Sequence, residues 1–226
     1  MLRIRVLGAG AGGGFPQWNS NAPGCRRARA GDPAARPRHQ ASIAVSADGS
    51  TWYLVNASPD LRQQIAENDC LQPQEGLRST PIAGVLLTGA EVDAVAGLLT
   101  LRERQPLRLV AHAAVLARLD ANPIFEVLDR GIVPREAVPL DTRLPLRRSD
   151  GSPTGIHATL FAVPAKPPLY AEAAGSGTGS GEEGEGVGVA LDDGEQRFFY
   201  IPGCAAMTEG LAARLQGAAL VFFDGT

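Results

Sequence analysis

Pro81-Ile82-Ala83-Gly84-Val85-Leu86-Leu87-Thr88-Gly89-Ala90-Glu91-Val92-Asp93 is the stretch whose reading decides the fold. Its first seven residues are nearly all apolar, as in a strand covered on both faces. Its second half opens a helix predicted over residues 91–104, with Val92, Val95, Leu98, Leu99 and Leu101 on or near one face. A buried strand running into an amphipathic helix is a unit of layered α/β architecture.

The same logic extends in both directions. Upstream, Ser42–Val45 and Thr51–Val55 flank Asp48-Gly49, a pair suited to a tight hairpin turn. Ser58-Pro59-Asp60 reads as a helix start, with Leu61 and Ile65 facing inward. Near the N-terminus Leu2, Ile4 and Val6 alternate with Arg3 and Arg5, predicting a half-buried strand. Residues 26–38, rich in Arg and broken by Pro33 and Pro37, read as an irregular surface loop. Downstream, residues 107–110 predict a strand and 115–119 a helix, followed by a strand over Ile156–Val163. A second hairpin, 187–191 with 197–201, precedes a helix over Thr208–Leu215 and a final buried strand over 219–223. Ala173–Gly186, mostly Gly, Ser, Ala and Glu, has too little apolar surface to offset its ordering entropy and reads as a flexible loop. The expectation is one domain over residues 1–226, with mixed sheets and helices packed outside them.

Composition narrows the function. Forty-four per cent hydrophobic and 20 per cent charged residues describe an ordinary globular chain. A net charge of −3 with no basic block argues against nucleic acid. No apolar run approaches the ~18 residues that would suggest membrane insertion. Cys25, Cys70 and Cys204 form an odd, widely spaced set without a C-x-x-C pair, which fits a reducing, cytoplasmic setting rather than a disulfide framework.

Gly8-x-Gly10-x-x-Gly13 matches the dinucleotide fingerprint literally, yet Gly14-Phe15-Pro16 cannot open the helix that the fingerprint requires. The better reading is a glycine loop closely crossed by another backbone or a ligand. Strand ends carry the remaining candidates: Glu91 and Asp93 after strand 82–87, Pro202-Gly203-Cys204 after strand 197–201, and Asp224 after strand 219–223. Carboxylates at the carboxyl ends of α/β strands can hold a metal ion, although Glu91 and Asp93 are equally placed to cap a helix. His39, His112 and His157 show none of the close spacings of metal sites; His112 ends a strand in a position from which it can point into the cleft, and His39 and His157 read as surface or hydrogen-bonded strand residues.

Leu7-Gly8 through Gly12-Gly13-Gly14-Phe15-Pro16-Gln17-Trp18-Asn19 resembles the start of the pyrroloquinoline quinone (PQQ) biosynthesis protein B family. The resemblance continues through Asn56-Ala57-Ser58-Pro59-Asp60-Leu61-Arg62, Leu101-Arg102-Glu103, Asn122-Pro123-Ile124-Phe125, Ile201-Pro202-Gly203-Cys204-Ala205 and Phe223-Asp224-Gly225-Thr226. It implies a metallo-β-lactamase-like αββα sandwich, incomplete at the C-terminus because family members run on for roughly a quarter of their length. The fold's metal motif, His-x-His-x-Asp-His, aligns with Gly89-Ala90-Glu91-Val92-Asp93-Ala94. Asp93 and Asp224 are the implied metal residues and Glu91 a further candidate, with Ala94 where the family carries histidine.

The implied function is PQQ synthesis. The family reading is a non-haem iron(II) hydroxylase acting on the tyrosine of a peptide-derived Glu-Tyr intermediate. One alternative is a non-catalytic carrier that moves PQQ or its precursor toward the periplasm, and another is a metal-dependent hydrolase. Asn56, Arg62, Arg102 and Lys166 are the substrate-binding candidates, the three cations as partners for a flat tricarboxylate. With Ala94 in the motif, weak iron binding or none is expected. A structural zinc site is not expected, since Ser20 and Ala22 stand where the family carries cysteines and Cys25 alone remains. A strand edge at 219–223 predicts self-association, a homodimer being the simplest form.

Overall fold

The computed structural model describes residues 1–165, 184 and 186–223. Lys166, Asp224 and, apart from Gly184 and Gly186, the predicted loop at 173–186 lie outside the described residues. Two sheets make the frame. The first has the order β1 (Arg3–Gly8), β2 (Ser42–Ser46), β3 (Trp52–Val55), β4 (Ile82–Leu87), β5 (Arg108–Ala111) and β6 (Arg135–Ala137). β1, β2 and β3 pair antiparallel, and β3 through β6 pair parallel. The second has the order β11 (Val221–Phe223), β10 (Arg197–Ile201), β9 (Val187–Asp192), β8 (Pro153–Ala162) and β7 (Arg143–Arg147). It is antiparallel except for the parallel β10–β11 pair.

Three apolar layers follow from side-chain alternation. Ile43, Val45, Tyr53, Val55, Leu86 and Val110 point from the first sheet into the second, where Ile156, Leu160, Val189, Leu191 and Phe198 meet them. The opposite face of the first sheet buries Leu54, Val85, Leu87 and Leu109 against helices α2 (Leu61–Ala66) and α4 (Ala113–Asp120) through Leu61, Val115 and Leu119. The outer face of the second sheet packs Phe161, Phe199 and Ile201 on Leu211 of helix α5 (Glu209–Leu215). Each such Leu or Phe contributes about 1.5–3 kcal/mol, so the sandwich is held from both sides of both sheets. The architecture is the αββα layered sandwich with mixed sheets.

Both expected hairpins form. In the first, the Asp48 carboxylate accepts from the amides of Ser50 and Thr51 at 2.8 and 2.7 Å and from the Ser46 hydroxyl at 3.0 Å. Burial pushes that carboxyl up, and these hydrogen bonds outweigh it, leaving it well below the usual carboxylate range. Gly49 takes the positive φ of 84° that the turn demands.

Five expectations are corrected. The helix over 91–104 is a single α turn, α3 (Val92–Val95), followed by a 3-10 segment, Ala96–Leu101. The backbone explains why: Ala57 takes the Ala94 carbonyl at 2.7 Å and supplies its own carbonyl to the Gly97 amide at 2.8 Å, drawing residues 94–97 out of a continuous helix. Val92 is exposed rather than inward. Residues 26–38 are not all loop, because Pro23–Arg29 form helix α1, with Pro23 in its first turn and Arg26, Arg27 and Arg29 in its last. Val6 is exposed, since a β-bulge between Val6 and Gly8 shifts the register and sends Leu7 into the core. Finally, β11 is a half-exposed edge strand rather than a buried one. No described helix is long and apolar enough to cross a membrane.

Candidate functional site at the strand ends

The parallel strands β3 and β4 end side by side at Asn56 and Thr88. The Asn56 amide donates to the Thr88 hydroxyl at 2.8 Å, and its carbonyl oxygen accepts from the Thr88 amide at 2.9 Å. Asn56 holds a left-handed φ of 64°, which this two-way pairing maintains. The Thr88 carbonyl accepts from Val187 at 2.8 Å, so the start of β9 in the second sheet closes on the end of β4 in the first. The strand ends of both sheets therefore share one rim.

Glu91 and Asp93 stand on that rim. Glu91 precedes α3, makes no side-chain cap bond to it, and folds its carboxylate back over Gly89. Asp93 lies half-buried in the first turn of α3, with its Oδ2 against Gly12: a methyl group built on Gly12 would sit 3.3 Å from it. Ala94 is buried in the helix-side core.

Above Asp93 passes the glycine loop, held by a second backbone. The Gly10 amide donates to the His39 carbonyl at 2.8 Å, Ala41 donates to the Gly10 carbonyl at 2.9 Å, and Phe15 and Arg38 exchange bonds at 2.9 and 2.7 Å. A side chain at Gly8 would collide with the Gln40 carbonyl. The expectation of a closely crossed glycine loop holds, and no helix begins at Gly13.

A buried polar relay fixes this loop to α2. Gln40 accepts from the Gly13 amide at 2.9 Å and donates through its backbone and side chain to Asp60 Oδ2 at 2.8 and 3.1 Å. The Gln64 amide donates to the Gln40 carbonyl at 3.1 Å, and the Ser58 hydroxyl donates to Gln64 at 3.1 Å. Two of the most distinctive stretches, Gly12–Asn19 and Asn56–Arg62, are thus one physical unit. Gln40 and Gln64 carry no chemical signature in sequence, and only the fold brings them to the site.

The cationic candidates are not gathered there by contacts among the described residues. Arg62 lies on the exposed side of α2. Arg102 donates to the Leu99 carbonyl at 2.9 Å and stands 3.9 Å from Glu103. His112 caps α4, accepting from Ala114 at 3.3 Å, while His39 pairs with Glu67 at 2.9 Å. Cys25 is buried, its thiol pulled below its ordinary range by the Ser20 hydroxyl and the Gln17 backbone.

A Beta-lactamase superfamily domain model matches residues 51–226. Coenzyme PQQ synthesis protein B from Gluconacetobacter diazotrophicus is 63% identical over 226 residues, all of this chain and 74% of that protein. The chain belongs to the coenzyme PQQ synthesis protein B family. The Gluconobacter oxydans member of the family is 53% identical, again over the whole chain and 72% of the relative. Among solved structures, Zn(2+)-bound PqqB from Methylobacterium extorquens superposes with a TM-score of 0.91 at 47% identity, covering 100% of this chain and 73% of that one.

A metal is therefore the group the family implies. Among the described residues no three His, Cys, Asp or Glu side chains converge as a metal cluster. Asp93 supplies one oxygen donor group at the rim, and a resident ion needs at least three protein ligands. The described residues do not by themselves fit a bound metal; they set the Asp93 carboxylate directly beneath the glycine loop, against Gly12.

Proposed function

We propose that this protein acts in the biosynthesis of PQQ, in the cytoplasm, by binding PQQ or its precursor at the strand-end cleft around Asp93. The observation that carries the reading is identity to coenzyme PQQ synthesis protein B, 63% across the whole chain. The geometry supports it: the Asp93 carboxylate lies against Gly12 of the glycine loop, and Asn56 and Thr88 clasp the neighbouring strand ends.

The finer reading is hydroxylation of the tyrosine ring in a Glu-Tyr intermediate, with iron(II) as the cofactor. Iron would supply oxygen activation there, with Asp93 and Asp224 as the candidate ligands and Glu91 beside them. The carrier role is the second reading, favoured by the lack of a three-ligand cluster among the described residues. Arg62, Arg102 and Lys166 remain the proposed partners for ligand carboxylates and Asn56 for a ligand oxygen.

Elemental mass spectrometry on protein purified without oxygen or chelators separates the two. About one iron per chain supports the hydroxylase. Metal-free protein that binds PQQ supports the carrier. Metal-free protein that binds neither PQQ nor the Glu-Tyr intermediate contradicts both.

A further inference from the structure

Residues 23–38 carry five arginines and one aspartate, a charge of +4 in a chain whose net charge is −3, so the remainder carries −7. The arginines are spaced in sequence, and the fold gathers them around the loop 15–21. Arg26 and Arg29 share a face of α1, three residues apart. Arg26 donates to the Asn21 carbonyl at 2.8 Å, and Arg29 donates to the carbonyls of Ser20, at 2.6 Å, and Gln17. Arg38 lies beside Phe15 through their paired backbone bonds, and its side chain donates to the Arg36 carbonyl at 3.3 Å. Arg36 in turn donates to the Pro33 carbonyl at 3.4 Å.

These four side chains are exposed, and among the described residues none of them meets a carboxylate. The segment's one acid, Asp32, is taken by Arg27 at 2.6 Å. Other parts of the surface show the opposite pattern: Arg108 meets Glu136 at 3.1 Å, Arg148 meets Asp48 at 3.2 Å and Arg214 meets Asp141 at 2.6 Å. A carbonyl acceptor orients a guanidinium without neutralising it. The four are therefore braced in place with their charge uncompensated. Trp18, on the loop that Arg26 and Arg29 hold, is 84% exposed. Arginine and tryptophan are the side chains on which protein–protein contacts concentrate their binding energy.

We propose that this basic face docks an acidic segment of a partner protein, with carboxylates on Arg26, Arg29, Arg36 and Arg38 and an apolar residue on Trp18. The proposal goes beyond the binding reading above and needs nothing from Asp93. A planar guanidinium fork pairs with a carboxylate through two parallel bonds, and bracing lowers the entropy lost on binding. The charge of the rest of the chain favours a short segment over an extended polyanion. A membrane surface or a nucleic acid presents charge over a wide area and is repelled by the −7 carried elsewhere, whereas a short segment meets the basic face alone.

The test is fluorescence anisotropy of a labelled glutamate-rich peptide with one central leucine, titrated with the 226-residue chain. Binding is expected to weaken about tenfold between about 50 and 300 mM salt, because exposed ion pairs are screened. Arg26→Gln combined with Arg36→Gln is expected to weaken it about tenfold, and Trp18→Ala to weaken it with no change of charge. Arg78→Gln combined with Arg104→Gln removes the same charge from arginines already paired with Glu103 and Asp129, and is expected to leave binding unchanged. Arg36→Gln alone, which gives up a single 3.4 Å contact, is expected to weaken binding about threefold and serves if the double variant melts low. No peptide binding at low salt, equal losses from the two arginine pairs, or full binding by Trp18→Ala overturns the proposal. Tighter binding of phosphatidylglycerol vesicles or of an oligonucleotide than of the peptide overturns it as well.

Discussion

Gly97→Ala is the substitution that most directly probes how Asp93 is positioned. A methyl group at Gly97 would run into the Ser58 carbonyl oxygen and lie 2.8 Å from the Ala57 carbonyl. Both atoms are backbone, so neither can swing aside as a long side chain would. Relief requires the Ala57–Ser58 segment and the 3-10 segment to part by about 1 Å, an overpacking cost of about 1–3 kcal/mol. The same movement stretches the Gly97–Ala57 and Ala57–Ala94 hydrogen bonds, now 2.8 and 2.7 Å, at about 1 kcal/mol each. The expected loss is about 3–5 kcal/mol, or a fall of roughly 6–20 °C in melting temperature for a chain of this size. Thermal melting followed by circular dichroism measures it. Gly210→Ala is the control: Gly210 sits in α5 with nothing within 4 Å of an added methyl group, so the melting temperature should hold or rise slightly. A Gly97→Ala protein that melts within about 1 °C of the original would refute the close packing of α3 against residues 57–58.

Other perturbations test separate parts of the account. Asn56→Ala removes the two-way clasp with Thr88, leaves the Thr88 amide buried without a partner and puts alanine at positive φ; urea denaturation should show a loss of about 2–4 kcal/mol. Unchanged stability would show that the strand ends are held by something else. Asp192, buried on β9, is pushed up most by burial, and the Arg143 guanidinium at 2.6 and 3.2 Å, the Gly194 amide and the Arg197 charge together outweigh this and hold its carboxyl below the usual range. A lowered carboxyl stabilises the fold above its unfolded value and loses that contribution as pH falls. Arg143→Ala should therefore lower stability at neutral pH and start acid unfolding at higher pH. Coincident acid-melting curves would contradict this. Leu220 and Phe223 are each 42% exposed at the β11 edge, so sedimentation should show the 226-residue chain self-associating, and a clean monomer at all concentrations would refute it.

The sequence exposed the fold wherever local periodicity agreed with burial. The apolar run of β4, both Asx-Gly hairpins and α5, capped by Thr208, are where patterning alone puts them. It misled where long-range contacts override local preference. Val92 reads as inward on a helix that Ala57 in fact interrupts, and Val6 reads as inward on a strand that a bulge turns. Helix α1 escaped because it buries only Cys25 and Ala28, too few for a periodic signal, although Pro23 and the closing arginines were its marks. At the site, Asp93 was legible from its place after a buried strand. Gln40 and Gln64 were not, since each matters through partners far away in sequence.

The central claim is that this protein serves PQQ synthesis through the Asp93 cleft. The most direct test is PQQ output from its host with the gene deleted, then restored with the original or with Asp93→Ala. The account predicts loss of PQQ on deletion, recovery with the original, and no recovery with an Asp93→Ala protein that melts normally. Undiminished PQQ in the deletion strain, or full recovery by Asp93→Ala, would contradict it.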